Sequence, residues 1–368
     1  MKLTIVGPAY PLRGGIAHHV IRLKQELTSR GHQVQILSFR RLYPRLFFPG
    51  RTPLDSSQLR PDDPAEPVID SLNPLTWYQA YKRARSFSPD GIVLEWWHPF
   101  FSLLVGWLGR RFRKVGLKCI IECHNIFPHE RTFLDHTLLR FAFSPVQYFL
   151  THSSTDQQEL LKLLPGRTVR IAPLLILKEF STNKGLLTHP RTLLFFGIVR
   201  KYKGLDVLLR AMPRVLSKID CQLVIAGEFY EPVDRYLQII RECGIEQSVS
   251  IDNRYVPNEE VSEVFGRADV LILPYLSASQ SGVAQISFAN AVPVIASRTG
   301  GLPDVVFDNV NGMLVAPGDS KALAEAILSY FENNREQILK KNLLAARVHQ
   351  DQERNNIGTI IEDMVGGN

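Results

Sequence analysis

The stretch from Phe195 to Asp206 sets an apolar strand and a glycine, Gly197, ahead of Arg200 and Lys203. An amphipathic run carrying Leu205, Leu208, Leu209 and Met212 follows at once. A strand that hands over to a helix through a short basic loop is a place for phosphate. The first helical turn offers unpaired N–H groups and the positive end of the helix dipole. Arg and Lys add full charges able to neutralise a diphosphate leaving group. Standing alone, the same loop reads as a solvated basic turn. A second candidate is His124, which follows the apolar run Lys118–Glu122 at the carboxyl end of a strand, where ligands of open α/β sheets bind. His129 and Glu130 share its loop, but with His124 they show no helix-type ligand spacing, and no metal site is predicted. Gly14 and Gly15 stand where a first helix starts and would let backbone approach a phosphate closely.

The elements that must position these residues alternate between strand and helix. Leu3–Gly7, Val34–Leu37, Gly91–Leu94 and Lys118–Glu122 read as short buried strands, with Ile16–Leu27 as a helix between the first two. After Pro173 the rhythm restarts with strands at Thr192–Phe196, Cys221–Ala226, Val249–Asp252, Val270–Leu273 and Pro293–Ala296. Helices at Leu205–Leu216, Tyr236–Cys243, Glu259–Arg267 and Gly282–Ala291 fall among them. Such alternation specifies parallel sheets. Its recurrence, in a chain of 368 residues, predicts two doubly wound domains facing across a cleft.

The composition, 45% hydrophobic and 21% charged, is that of a globular protein. The four cysteines form neither a disulfide framework nor a zinc-type pair and fit a reducing, cytoplasmic setting. Met1–Gly7 reads as a first strand rather than a signal peptide. Residues 1–173 hold 23 Lys and Arg against 13 Asp and Glu, a net of +10, while the remainder nets −3. The basic excess suits an acidic substrate or an anionic membrane surface. With no zinc-finger or RNA-recognition motif, a nucleic-acid partner is not expected. Residues 41–67, where Arg41, Arg45 and Arg51 interleave with Tyr43, Leu46, Phe47 and Phe48, read as a loop. The aromatic run from Trp96 to Leu108, closed by the basic cluster Arg110–Lys114, is too short to span a bilayer. It fits either an interfacial helix on an anionic leaflet or a core helix with a solvated basic end.

Several features recur in one order: Gly14-Gly15-Ile16, Gly31-His32, Glu122-Cys123-His124-Asn125, Gly197 with Arg200 and Lys203-Gly204, and Ala226-Gly227-Glu228. Pro293-Val294-Ile295-Ala296, Gly300-Gly301-Leu302-Pro303 and Asn311-Gly312 follow. The series resembles the retaining glycosyltransferases of family 4, with the GT-B fold, over nearly the whole chain. The resemblance implies transfer of a sugar from a UDP- or GDP-linked donor, with retention at the anomeric carbon and without a metal ion or other cofactor. It implies an acceptor-side domain over residues 1–175, a nucleotide-sugar-binding domain over 190–345, and a C-terminal segment, 346–368, returning to the first domain. A lipid-linked or saccharide acceptor in surface polysaccharide or glycolipid synthesis, on the inner face of the plasma membrane, is its usual setting. Carried over onto this chain, the catalytic group is His124, Arg200 and Lys203. The donor-binding group is Gly14, Gly15, Gly197, Gly227, Glu228, Gln280, Ser281, Gly282, Val283 and Gln285.

Two departures matter. The family's arginine directly follows the glycine, where this chain has Ile198, so Arg200 is displaced by two positions. The family's paired glutamates before the Pro-Val-Ile-Ala strand are missing, because no Asp or Glu occurs between Tyr275 and Asp304. Gln280 and Gln285 can hydrogen-bond sugar hydroxyls there, as neutral groups, and Ser281-Gly282-Val283 can offer N–H groups to phosphate. The readings are therefore an active transferase that reads its donor through amides and hydroxyls, a non-catalytic sugar-binding or scaffold partner, and a nucleotide-sugar epimerase of the same architecture.

Overall fold

The computed structural model describes residues 1–44, 50–58, 65–128, 133–172, 174–175, 191–332, 334–353 and 356–367. These fall into two compact units, Met1–Asp55 with Arg60–Leu177 and Gln352–Asn368, and Ser56–Leu59 with Lys178–Asp351.

The first unit is built on seven parallel strands: β1 (Lys2–Val6), β2 (Gln33–Arg41), β3 (Glu66–Asp70), β4 (Gly91–Trp96), β5 (Lys118–Cys123), β6 (Tyr148–Thr151) and β7 (Thr168–Ile171). Their order is β3-β2-β1-β4-β5-β6-β7. The connecting helices are α1 (Gly15–Ser29), α2 (Pro74–Phe87), α3 (Ser102–Lys114), α4 (Asp135–Phe143) and α5 (Ser154–Leu163). β1 and β4 are buried nearly throughout, which is why they read as continuous apolar runs rather than alternating ones. α2 starts at Pro74 behind Asn73, whose side chain accepts the N–H of Leu75. β3, β6 and β7 were not anticipated. β3 falls within and just beyond the stretch read as loop, and as an edge strand with Pro67 it carries little buried apolar surface. β6 and β7 have four residues each, too short for periodicity to announce them.

α3 decides between the two readings of the aromatic-basic run. Leu104, Val105, Leu108 and Phe112 are buried, and Trp107 packs on Trp77 and Tyr81. Its apolar face therefore serves the core, leaving Leu103 exposed in the first turn, at the end opposite the basic cluster.

The second unit has six parallel strands, β8 (Thr192–Phe196), β9 (Gln222–Ala226), β10 (Val249–Asp252), β11 (Val270–Leu273), β12 (Val294–Ser297) and β13 (Gly312–Val315). Their order is β10-β9-β8-β11-β12-β13. Among them run α6 (Leu205–Leu216), α7 (Asp234–Cys243), α8 (Asn258–Gly266), α9 (Gly282–Ala289) and α10 (Ser320–Tyr330). α6 has the bounds its periodicity predicts, and buries Leu205, Leu208, Leu209, Met212 and Val215. Asp319 caps α10 by accepting the N–H groups of Lys321 and Ala322.

α11 (Arg335–Glu353) precedes α12 (Asn356–Gly366), and α12 packs on the first unit. There Glu362 takes two hydrogen bonds from Arg30 and a third contact from His32. Gly91 leaves the room that Val365 fills. In both sheets the strand order reverses beside the first strand, between β1 and β4 and between β8 and β11, where open α/β sheets bind ligands. Among the described residues, no helix is long and apolar enough to cross a membrane.

Candidate functional site

In the second unit the candidates gather at the reversal point. β8 ends at Phe196, Gly197 turns the chain, and Lys201–Lys203 form a single 3₁₀ turn before α6. This turn folds Lys203 inward, so that its side chain is 9% exposed. A Cβ on Gly197 would lie 3.5 Å from Lys203 Nζ and equally near the Val283 side chain. Lys203 Nζ also stands 5.3 Å from the ring centre of Tyr275, just beyond β11. Burial lowers the Lys203 amine below its usual range, partly offset by Tyr202. An ammonium in this position has shed water, which strengthens its attraction for an anion.

α9 enters the same neighbourhood. Ser281 caps it by accepting the Ala284 N–H, and also bonds Tyr275, whose hydroxyl burial pushes up to about 12. Val283 thus stands by Gly197 and Lys203, at the helix end where N–H groups are unspent. Gly227 follows β9 at the next strand end and is excluded from bearing a side chain, because a Cβ would fall on the carbonyl oxygen of Gly197. The Gly197 N–H meets the Ala226 carbonyl and the Gly227 N–H meets that of Asp252, which locks the two turns together. Glu228 is buried beside Gly227, with its carbonyl accepting the Val199 N–H. Arg200, Gln280 and Gln285 are half-buried. The structure thus brings Gly197, Lys203, Gly227, Ser281 and Val283 into one corner, with Glu228 as the neighbouring carboxylate.

In the first unit, Gly14 caps α1 with φ 115°, and the space a Cβ would take at Gly14 or Gly15 is open. His124 sits directly after β5, its N–H on the Trp96 carbonyl, and is 8% exposed. His129 and Glu130 lie outside the described residues. Behind His124 is a cluster that sequence reasoning missed. His124 Nε2 is 2.6 Å from Glu95 Oε2, at the end of β4. His19 Nε2, on α1, is 2.7 Å from Glu122 Oε1, and His152 Nε2, after β6, is 3.3 Å from the same oxygen. The three imidazole rings stand 5.1 to 5.3 Å apart, centre to centre. Room for Glu95 is made at Gly7, where a Cβ would overlap its side chain. Burial and the Glu122 charge raise the Glu95 carboxyl well above the usual range. Burial alone would raise Glu122 too, but His19 and His152 outweigh it and hold Glu122 well below. Burial above all keeps the His124 imidazole well below its ordinary value, and so neutral. Two signals were available: a carboxylate at the end of Gly91-Ile-Val-Leu-Glu95, otherwise apolar, and His19 on the helix face shared with Val20 and Leu23.

The chain matches known families over both halves. Residues 13–174 match the family described as Glycosyltransferase Family 4. Residues 190–333 match that described as Glycosyl transferases group 1. Among curated relatives, a D-inositol 3-phosphate glycosyltransferase of Corynebacterium diphtheriae is 33% identical over 39% of this chain and 35% of its own length. One from Streptosporangium roseum is 31% identical over 64% of this chain and 60% of its own length, so the chain spans only part of these relatives. The N-acetyl-alpha-D-glucosaminyl L-malate synthase of Bacillus anthracis is 22% identical over 90% of this chain and 88% of its own length. Of solved structures, the sucrose-phosphate synthase of Thermosynechococcus elongatus superposes with a TM-score of 0.76 at 16% identity, covering both chains fully. Anabaena HepE in complex with UDP-glucose superposes with a TM-score of 0.74 at 15% identity, again over both whole chains. At such identities the superpositions speak to the fold, GT-B.

Proposed function

The chain belongs to the family 4 type of glycosyltransferases with the GT-B fold, and on that premise we propose that it transfers a sugar from a nucleotide-linked donor to a hydroxyl acceptor, with retention. The observation that carries this reading is the buried Lys203 amine beside Gly197 and the first turn of α9. In the proposed reaction the bond between the anomeric carbon and the diphosphate oxygen breaks, leaving negative charge on the diphosphate and positive character on the sugar. Lys203, Arg200 and the N–H groups of Gly282 and Val283 receive that charge. The acceptor hydroxyl then bonds to the anomeric carbon and passes its proton to the departing phosphate oxygen. Since lysine, arginine and backbone donors supply the charge, metal-free transfer is part of the proposal. A nucleotide sugar fits the corner chemically, and the related fold of Anabaena HepE is known with UDP-glucose bound.

The acceptor proposed is a saccharide or lipid-linked saccharide, on the basic excess of the first 173 residues. A second reading, a sugar-binding scaffold without turnover, is favoured by one observation: no carboxylate lies between Tyr275 and Asp304 to hold donor hydroxyls. Calorimetry with UDP, GDP and ADP, without and with EDTA, followed by a donor-turnover assay, separates the two. Binding that ignores EDTA and is lost in Lys203→Ala, with turnover, supports the transferase. Binding without turnover under any acceptor selects the scaffold, and no binding removes the phosphate role of the corner.

A further inference from the structure

His124 and the four groups behind it fix one another's protons. The backbone N–H of Leu175 points at His19 Nδ1 at 3.2 Å, so that nitrogen holds a lone pair. The His19 proton is then on Nε2, donated to Glu122 Oε1 at 2.7 Å. His152 donates from Nδ1 to the Ala172 carbonyl at 3.0 Å. His152 Nε2 lies 3.3 Å from the same Glu122 oxygen, and burial notwithstanding the two histidines hold the Glu122 carboxyl well below its usual range. Glu122 is therefore the carboxylate of the cluster.

Glu95 Oε1 and Glu122 Oε2 are both buried, and neither takes a hydrogen bond from any other described group. Burial, the Glu122 charge and a side-chain hydrogen bond to Glu122 favour a protonated Glu95, and a proton on Glu95 Oε1 supplies a donor where these unpaired oxygens have none. That leaves Glu95 Oε2 as an acceptor facing His124 Nε2 at 2.6 Å, so the His124 proton lies on Nε2. With the Glu95 proton on Oε2 instead, Glu95 Oε1 and Glu122 Oε2 would both stay without a donor. The remaining ring nitrogen of His124, Nδ1, has no partner among the described residues and is not sealed in the interior. The same accounting disfavours a metal ion among His19, His124 and His152, which are close enough for one, because His19 Nε2 is already spent on its proton.

We infer that Glu95, Glu122 and His19 are positioning residues that hold His124 in its Nε2–H tautomer, making Nδ1 an acceptor for a hydroxyl of the bound saccharide. The saccharide rests on the function proposed above; the tautomer does not. A histidine of this kind orients a hydroxyl by drawing on its hydrogen, whereas the opposite tautomer would donate to the oxygen.

The test is long-range ¹H–¹⁵N spectroscopy on the uniformly ¹⁵N-labelled whole chain, with His124 assigned through the His124→Asn variant. The expected result is a protonated Nε2 and a bare Nδ1 on His124, retained in Glu95→Gln, whose amide can donate to Glu122 and accept from His124. In Glu95→Leu the tautomers mix. A His124 protonated on Nδ1 or on both nitrogens overturns the inference, as does stoichiometric zinc in the purified protein. If Glu95→Leu does not fold, the parent protein and Glu95→Gln still decide the matter. With UDP-glucose as donor, Glu95→Leu is expected to lose roughly 10- to 100-fold in turnover, and Glu95→Gln to regain most of it. A loss confined to transfer, with donor hydrolysis unchanged, puts the hydroxyl on the acceptor; a loss in both puts it on the donor sugar. Equal losses in Gln and Leu refute the relay. Absence of all nucleotide-sugar binding, with the expected spectrum, refutes the proposed function and leaves the tautomer standing.

Discussion

A lysine amine costs free energy to bury, and Lys203 is held inward by the turn that links Gly197 to α6. Its removal is expected to weaken nucleotide diphosphate binding by roughly 10- to 100-fold, the usual worth of a charge-assisted hydrogen bond. Titration calorimetry on Lys203→Ala checks this, with circular dichroism showing that the fold survives. Gly227 poses the opposite problem, since nothing but hydrogen fits against the Gly197 carbonyl. Gly227→Ala should cost about 2 kcal/mol or more, a fall in Tm of roughly 4–8 °C, and should displace Gly197 from its place beside Lys203. Calorimetric melting with and without bound nucleotide reads both effects. Lys203 was picked out in the sequence by its place between a strand glycine and an amphipathic helix together with the family resemblance, since the loop alone reads as a solvated basic turn. The partners of His124 were not, because His19, Glu95, Glu122 and His152 are separated by up to 133 positions and meet only through sheet order.

Among the elements, α12 is held by a compact electrostatic clasp. Glu362 accepts from both Arg30 and His32 on the turn after α1, and the pairing with Arg30 lowers its carboxyl to about 2. A depressed carboxyl stabilises the fold at pH values above its ordinary pKa of about 4.3, and that contribution drains away as pH falls toward 2. Because Glu362 is partly exposed, its worth is set at about 1–2 kcal/mol after screening. Hydrogen exchange should therefore find α12 amides less protected at pH 3 than at pH 7, and Glu362→Gln should show the pH 3 behaviour at pH 7. Unchanged α12 protection in that variant would mean that packing around Gly91 and Val365, and not the clasp, holds the helix. The sequence marks helices such as α6 well because their apolar stripe is long. It marks four-residue strands poorly, because β6 and β7 owe their existence to hydrogen bonds with neighbours already in place.

At the scale of the molecule, charge is divided: residues 1–173 net +10 and the rest −3. If the acceptor is membrane-linked, the protein should sediment with vesicles containing phosphatidylglycerol and not with phosphatidylcholine alone, and 0.5 M salt should release it. Retention of binding in salt would point instead to apolar insertion, for which α3 has little to offer, since its apolar face is spent on the core. What the sequence determined by itself was the class of architecture, the parallel sheets and the basic loop after β8, because strand–helix alternation and local charge are properties of neighbouring residues. The tertiary structure alone decided that the aromatic run of α3 faces inward, and that two glutamates and two further histidines stand behind His124. Burial and proton placement depend on what surrounds a group in space, and at those positions the surroundings come from β4, β5, β6 and α1 together.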